Sequence, residues 1–253
     1  MITRRRFGIS TAGAFAAVAF GDACALATRS ADASDGRLTA RPRGDVRTTL
    51  QSGALGLGGS ERDGVVQMPT KPAAGKLPLL VFLHGATQSG SGMVRRVGPA
   101  AEEAGVVLVA PDSRATTWDA IRGNFAEDVD YLNRVLEHVF ARVAVDPARV
   151  AIGGFSDGAT YALSLGIGNG DLFPRIVACS PGFVISMPPQ GRPRCFVSHG
   201  TSDQILPIDR CSRVIVPRLK AQGYDVTFRE FEGRHEVPPA VATEALHWLA
   251  AVG

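Results

Sequence analysis

The sequence has 253 residues, with 27 basic and 24 acidic side chains and a formal net charge of +3. The basic excess belongs largely to the first 27 residues, because without them the chain keeps 24 basic and 23 acidic residues and a net charge of about +1. No basic run with interleaved aromatic residues remains, which argues against a nucleic-acid partner.

The amino terminus predicts an export signal at residues 1–27. Arg4-Arg5-Arg6-Phe7 precedes a weakly apolar, Ala-rich run at 11–20, and Ala25 and Ala27 are small residues before a cleavage point. This pattern predicts a twin-arginine signal peptide, the twin-arginine export machinery as a partner, and a periplasmic or secreted product. Two alternatives stay open. A transmembrane helix conflicts with Asp22 inside the apolar run, and a lipid anchor on Cys24 lacks the expected leucine three residues earlier.

After the signal, the sequence predicts a disordered leader at 28–44, rich in Ala, Arg, Ser, Asp and Gly, and one domain at 45–253. The domain begins with an edge hairpin, with strands at 46–50 and 65–68 around a glycine-rich turn.

Strands and helices then alternate to the end of the chain. Strands are predicted at 79–83, 106–110, 149–153, 175–179, 195–199 and 226–231, and helices at 92–104, 124–141, 157–168, 208–222 and 239–251. This alternation predicts an α/β fold with a mostly parallel sheet, helices on both faces and a site at the carboxyl edge of the strands.

The stretch Gly154-Phe155-Ser156-Asp157-Gly158 follows an apolar run and predicts a nucleophile elbow. A strained serine between strand and helix needs flanking glycines, because the two elements pass close together there. The alternative is a glycine-rich turn without chemistry.

An activated serine needs a base and an acid that orients the base, and the partners are expected later in the chain. Asp203, just past the strand at 195–199, is the candidate acid, and His235, ahead of the last helix, is the candidate base. Asp209 is the rival acid, and His199 and His84 are the rival bases. No two histidines show metal-ligand spacing, so neither a metal nor another cofactor is expected.

Acyl transfer also needs backbone N–H groups that stabilise a negatively charged oxygen. Asp157 opens a helix, so its N–H has no intrahelical partner. The second predicted donor of this oxyanion hole is Ala86, in the glycine-rich loop after the strand at 79–83.

Residues 63 to 252 resemble the phospholipase/carboxylesterase group of α/β-hydrolases, which includes acyl-protein thioesterases. They also resemble secreted polyhydroxybutyrate-depolymerase-type esterases. The resemblance rests on Leu83-His84-Gly85, Pro111-Asp112, the segment 154–158, His199-Gly200-Thr201-Ser202-Asp203 and Gly233-Arg234-His235. It implies an α/β-hydrolase fold and ester or thioester hydrolysis by Ser156, Asp203 and His235, with Ala86 and Asp157 forming the oxyanion hole. Relatives often carry Gln, His or Met where this chain has Asp157, so a carboxylate is added near the site.

The substrate pocket is less defined by the sequence. Only about fifteen residues separate the strands at 175–179 and 195–199, too few for a large helical lid. Phe183 and Ile185, with Val184 and Met187, are candidates for an acyl groove, and Trp118 is a candidate pocket residue. The alternative is that all of them pack the core.

Three cysteines remain after cleavage, Cys179, Cys195 and Cys211. Buried free thiols are the expectation, and a Cys179–Cys211 disulfide is the alternative. Taken together, the sequence predicts an exported serine carboxylesterase acting on small-molecule or projecting esters. A serine peptidase on the same fold and a non-catalytic envelope binding protein are the alternatives.

Overall fold

The computed structural model describes residues 36–59, 62–72 and 74–251, which form an eight-stranded sheet flanked by helices. The strands are β1 (Gly53–Ala54), β2 (Gly64–Gln67), β3 (Leu77–Leu83), β4 (Val107–Pro111), β5 (Val145–Phe155), β6 (Arg175–Cys179), β7 (Arg194–Gly200) and β8 (Val226–Phe231). The helices are α1 (Gly90–Glu103), α2 (Asp119–Arg122), α3 (Glu127–Phe140), α4 (Asp157–Gly168), α5 (Ser212–Ala221) and α6 (Pro239–Ala250).

The sheet order is β1-β2-β4-β3-β5-β6-β7-β8. The pairs β1–β2 and β2–β4 are antiparallel, and every later pair is parallel. Parallel strands end at the same edge, so the loops after β3, β5, β7 and β8 meet at the carboxyl edge. The predicted fold class, a mostly parallel sheet with helices on both faces, is confirmed.

Side chains of the central strands alternate between two apolar cores. Leu79 and Val81 of β3 face a core completed by α3, α4 and α5, whereas Leu80 and Phe82 face a core completed by α1 and α6. Because both faces are covered, β3 is buried along its whole length. This burial gives the loops at the carboxyl edge a rigid base.

The later elements agree closely with the sequence predictions. Helix α4 and strands β6 and β8 begin and end at the predicted residues, and the helix predicted at 239–251 is α6, one residue shorter. The helix predicted at 208–222 is instead a short 3-10 turn, Ile208–Arg210, followed by α5. The short helix α2 was not predicted.

The predicted strand at 46–50 is wrong. This segment is extended but has no strand partner, because Thr49 N–H and Leu50 N–H both donate to Arg142 O, beyond the end of α3. The hairpin partner of β2 is β1, closer to the glycine-rich turn. The β-branched residues of segment 46–50 therefore indicated an extended backbone but did not specify pairing with another strand.

The predicted disorder of the leader at 28–44 is wrong for its second half, since residues 36–41 pack on the domain. Leu38 is 1% exposed, and its N–H donates to Asn169 Oδ1 at 2.8 Å. Ala40 N–H donates to Asn133 Oδ1 at 2.9 Å, and Arg37 forms a 3.0 Å ion pair with Asp171. The polar composition of residues 36–41 did not indicate these hydrogen bonds and this ion pair. Residues 28–35 of the leader and the predicted export signal lie outside the described residues.

Cys179 and Cys195 are buried free thiols, so the alternative Cys179–Cys211 disulfide is wrong. Cys211 is disulfide-bonded, so the expectation of a free thiol is wrong at that position. Burial raises the pKa of Cys179 to about 11 and that of Cys195 to about 12, which keeps both protonated at neutral pH. Within the described ranges, no helix is long and apolar enough to cross a membrane.

Candidate active site

Ser156 lies at the junction between β5 and α4. Its backbone φ of 58° and ψ of −121° are strained for a residue with a side chain. A Cβ atom at Gly158 would lie 2.2 Å from Leu83 O, and one at Gly154 would lie 2.4 Å from the Gly158 carbonyl carbon. Both glycines are therefore required for the close approach of strand and helix, and the junction has the geometry of a nucleophile elbow.

His235 lies between β8 and α6 and connects Ser156 to Asp203. His235 Nε2 is 2.8 Å from Ser156 Oγ, and His235 Nδ1 is 2.6 Å from Asp203 Oδ2. A carboxylate accepts only, so Nδ1 carries the proton and Nε2 is the acceptor for the serine hydroxyl. The structure thus brings the three predicted residues into one hydrogen-bond chain. The Phe155 ring packs on the imidazole with centroids 4.7 Å apart, which helps to fix its plane.

Asp203 lies in the loop after β7, and its side chain is fully buried. Its Oδ1 atom accepts from Ile205 N–H at 2.9 Å and from Leu206 N–H at 2.8 Å. These bonds fix the carboxylate and leave Oδ2 for the imidazoles of His235, at 2.6 Å, and His199, at 3.2 Å. The buried charge is therefore compensated by hydrogen bonds, as a stable buried carboxylate requires.

The rival acid Asp209 is not part of the hydrogen-bond chain that joins Ser156, His235 and Asp203. It is exposed and pairs with Arg213 at 2.7 Å. The rival base His199 is buried, and its Nδ1 atom lies 2.7 Å from Ser212 Oγ while its Nε2 atom lies 2.7 Å from Leu206 O. Neither residue contacts Ser156 through a hydrogen bond in the described part of the chain.

His84, the other rival base, supports the loop after β3. Ser113 N–H donates to His84 Nε2 at 3.0 Å, so the ring proton resides on Nδ1, which donates to Gly85 O at 2.7 Å. Burial lowers the pKa of His84, which favours this neutral form. Arg62 also reaches Nε2, at 3.2 Å.

The loop after β3 passes directly beside the serine. A Cβ atom at Gly85 would lie only 3.2 Å from Ser156 Cβ, so the following residue, Ala86, borders the site. Within the described residues, neither the Ala86 N–H nor the Asp157 N–H donates to an acceptor. Two available N–H donors thus flank Ser156 in the chain segments predicted to form an oxyanion hole.

The extra carboxylate at Asp157 has its own partner. Thr117 Oγ1 donates to Asp157 Oδ2 at 2.6 Å. This bond joins the start of α4 to the loop before α2 and leaves the backbone N–H of Asp157 unchanged as a donor.

Two of the residues predicted to line a substrate pocket, Trp118 and Ile185, lie in the core instead. Trp118 is fully buried, donates from Nε1 to His84 O at 2.8 Å and packs on Tyr161, so it lies beneath the loop after β3. Ile185 is 2% exposed and belongs to the core, and Phe183 is half-buried against that core. Val184, Ile185 and Met187 line a cavity of about 530 Å³ with residues of α5, but none of Ser156, Asp203 or His235 lines it. The packing alternative therefore describes Trp118 and Ile185 better.

The sequence did not indicate that Arg62 contacts His84 or that His199 contacts Asp203. Arg62 lies outside every motif, and its contact with His84 joins residues 22 positions apart. His199 had a usable signal, because it begins the segment that ends in Asp203, four residues later. Among the described residues, no group of three or more His, Cys, Asp and Glu side chains could hold a metal ion.

The fold and the elbow define an α/β-hydrolase. Residues 114–252 match the model of the phospholipase/carboxylesterase family, and the chain belongs to that family. This membership confirms the resemblance seen in the motifs.

Solved structures agree on the fold. The S-formylglutathione hydrolase FrmB from Staphylococcus aureus is similar with a TM-score of 0.63 and 16% identity, covering 83% of this chain and 99% of the other. The Bacillus cereus carboxylesterase is similar with a TM-score of 0.58 and 19% identity, covering 76% of this chain and 94% of the other.

Among curated proteins, the esterase candidate NocK of Nocardia uniformis subsp. tsuyamanensis is 29% identical over 188 residues, or 68% of this chain and 53% of NocK. The chain therefore spans about half the length of this curated relative.

Proposed function

We propose that the protein is an exported serine carboxylesterase that hydrolyses carboxylic esters or thioesters through an acyl-enzyme. The observation that carries this proposal is the continuous hydrogen-bond chain from Asp203 through His235 to Ser156, at 2.6 and 2.8 Å. Nucleophile, base and orienting acid are the groups that acyl transfer needs. Family membership and the likeness to NocK support the same reaction class.

In the first half-reaction, Ser156 Oγ attacks the carbonyl carbon of the ester while His235 Nε2 takes the hydroxyl proton. Asp203 stabilises the imidazolium that forms and holds its tautomer. The N–H groups of Ala86 and Asp157 donate to the oxyanion. When the intermediate collapses, the carbon–oxygen or carbon–sulfur bond of the leaving group breaks, and His235 returns the proton to that group.

In the second half-reaction, water attacks the acyl-enzyme and gives a proton to His235. Collapse of the second tetrahedral intermediate releases the carboxylic acid, and Ser156 Oγ regains its proton. No redox partner is needed, since every bond change is a transfer of acyl group and protons.

The test compares the wild-type chain with Ser156→Ala on p-nitrophenyl esters from acetate to palmitate and on matching acyl thioesters. We expect wild-type turnover and a loss of about 10⁴-fold or more in kcat for the variant, with an unchanged far-UV circular dichroism spectrum. Ser52→Ala, in the edge loop before β1, is the matched control and should retain full activity.

Labelling with a fluorophosphonate probe separates the remaining alternatives. Modification of Ser156 without ester turnover would favour a peptidase, tested with peptide p-nitroanilides. Absence of both labelling and turnover would overturn the proposal and favour a binding protein.

The export route is a separate part of the proposal and is supported by Arg4-Arg5-Arg6-Phe7 and the Ala-rich run after it. The full chain is expressed in two bacterial strains, one with and one without a functional twin-arginine translocase. It should reach the periplasm only in the strain that has the translocase. Replacing Arg4, Arg5 and Arg6 together by lysine should retain it in the cytoplasm, and unchanged export would overturn this part.

A further inference from the structure

A cleft with a positively charged lining opens beside the candidate active site. It has a volume of about 480 Å³ and lies between the loop after β3 and the first turns of α1. Its lining residues are Gln88, Ser89, Gly92, Met93, Arg95 and Arg96. The lining contains two arginines and no acidic residue, and we call it the Arg95–Arg96 cleft.

Two contacts connect this cleft to the serine and the histidine. A Cβ atom at Gly85 would lie 3.2 Å from Ser156 Cβ and 3.5 Å from the side-chain amide of Gln88, so Gly85 lies between the serine and Gln88, which lines the cleft. The Phe155 ring, 4.7 Å from the His235 ring, carries the Arg96 guanidinium on its face at 5.1 Å. Ser156, Asp203 and His235 do not line the cleft, but single residues, Gly85 and Phe155, separate it from Ser156 and His235.

The two arginines are available for a ligand. Within the described residues, neither forms a salt bridge or donates a side-chain hydrogen bond, whereas Arg149, Arg194, Arg213 and Arg229 each pair with a carboxylate. The contact of Arg96 with the Phe155 ring, at 5.1 Å from Cζ to the ring centroid, is a cation–π contact and uses none of its N–H groups in a hydrogen bond to a described residue. A guanidinium carries paired N–H donors that match the two oxygens of a carboxylate.

We propose that the Arg95–Arg96 cleft binds an anionic group, a carboxylate, carried by the ester substrate. The inference rests on the proposed function and specifies its substrate class: esters with one negative charge a few bonds from the carbonyl. Asp157 is the carboxylate next to Ser156, but it is tied to Thr117 and does not line the cleft. The charge that an extended substrate meets in the cleft is therefore positive.

The test uses two pairs of substrates, because the carboxylate could belong to the acyl part or to the alcohol part. p-Nitrophenyl hydrogen glutarate is compared with p-nitrophenyl valerate, and 4-acetoxybenzoate with phenyl acetate. We expect the charged member of one pair to have the higher kcat/KM. In Arg96→Gln and in the double variant Arg95→Gln/Arg96→Gln, the charged-to-neutral ratio should fall about tenfold, as expected for loss of a charge-assisted hydrogen bond.

Arg47→Gln is the matched control. It removes the same charge from an exposed side chain near the loop between α3 and β5, at the opposite edge of the sheet. Its ratio should equal that of the wild type. Raising the salt concentration from about 0.05 to 0.5 M should lower the ratio for the wild type and for Arg47→Gln but not for the double variant, because screening weakens an exposed charge pair.

A ratio that is unchanged in the double variant, or that falls equally in Arg47→Gln, would overturn the inference. Failure of the proposed function looks different, since no ester of either pair would then be hydrolysed. In that case, calorimetric binding of the glutarate half-ester to Ser156→Ala, with and without the two Arg→Gln substitutions, decides the inference by itself. Binding that does not depend on the arginines would also overturn it.

Discussion

The Nε2 atom of His199 lies 3.2 Å from the Oδ2 atom of Asp203. The same oxygen lies 2.6 Å from His235 Nδ1, so two imidazoles share one carboxylate oxygen. Burial lowers the pKa of His199, which is therefore neutral. Its Nε2 faces two acceptors, Asp203 and Leu206 O, so Nε2 carries the proton and Nδ1 accepts from the Ser212 hydroxyl.

Removal of the His199 imidazole should slow catalysis by loosening Asp203. We expect His199→Ala to lower kcat about tenfold with little change in KM, because His199 is a positioning residue that does not touch substrate. His199→Gln keeps an N–H donor and should recover part of the loss. Steady-state kinetics and the rate of fluorophosphonate labelling measure this. Equal activity of His199→Ala and wild type would show that the shared oxygen has no role.

The hydrogen bond from His84 to the Gly85 carbonyl should determine where the Ala86 N–H points. In a trans peptide the C=O and N–H are opposed, and the Gly85 oxygen is held by His84 Nδ1 at 2.7 Å and by Gln88 N–H at 3.1 Å. We expect His84→Phe, which keeps the ring but removes this donor, to lower kcat by up to about 10²-fold, the effect of losing one oxyanion donor.

The binding of a boronic acid inhibitor, which forms a tetrahedral adduct with the serine, gives the second measurement for His84→Phe. Its affinity should fall in parallel with kcat, whereas KM should change little. A variant with normal kcat and normal inhibitor affinity would contradict this view of His84.

The two buried neutral histidines should make the protein less stable in mild acid. Burial depresses the pKa of His84 and of His199 below 6.5 in the folded state. The unfolded chain therefore binds their protons first as the pH falls below about 6.5, so stability is full above that pH and declines beneath it. Each histidine contributes a slope of up to about 1.4 kcal/mol per pH unit until its folded-state pKa is reached.

Urea unfolding between pH 7.5 and 5 measures this slope. Asp128 acts in the opposite direction, because burial raises its pKa to about 6 and stability from this group grows as the pH falls. The difference in the free energy of unfolding between the wild type and His84→Gln/His199→Gln isolates the contribution of the two histidines. Between pH 7.5 and 5, the double variant should lose less stability than the wild type. An identical slope in both would contradict the prediction.

Asp128 should stabilise the loop between β4 and α2, which carries Thr117 and Trp118. Its buried carboxylate accepts from Arg114 N–H at 2.6 Å and from Asp119 N–H at 2.7 Å. Asp128→Ala leaves both donors without this acceptor, and we expect a loss of about 2–4 kcal/mol in the free energy of unfolding. Asp130→Ala, exposed on the same helix, is the control and should change stability by less than about 0.5 kcal/mol. Chemical denaturation of both variants checks this.

Much of the molecule was determined by the sequence itself. The alternation of apolar runs gave the parallel strands and α4 through α6, because a buried strand and an amphipathic helix leave local periodic patterns. The elbow could be predicted because Gly154 and Gly158 are required by a local backbone clash. Asp203 and His235 could be predicted because the carboxyl ends of parallel strands meet at one edge, so chain order alone limits the candidates.

Tertiary structure decided what depends on contacts between distant residues. Residues 36–41 are held by hydrogen bonds to Asn133 and Asn169, and residues 49–50 donate to Arg142 O. These partners lie about a hundred positions away in the sequence, so the contacts leave no local pattern. Trp118 was ambiguous because an aromatic residue after a strand can face a pocket or the core, and only packing separates the two. The sharing of one Asp203 oxygen by His199 and His235, and the position of Arg96 over Phe155, likewise follow from side-chain geometry that a linear sequence does not contain.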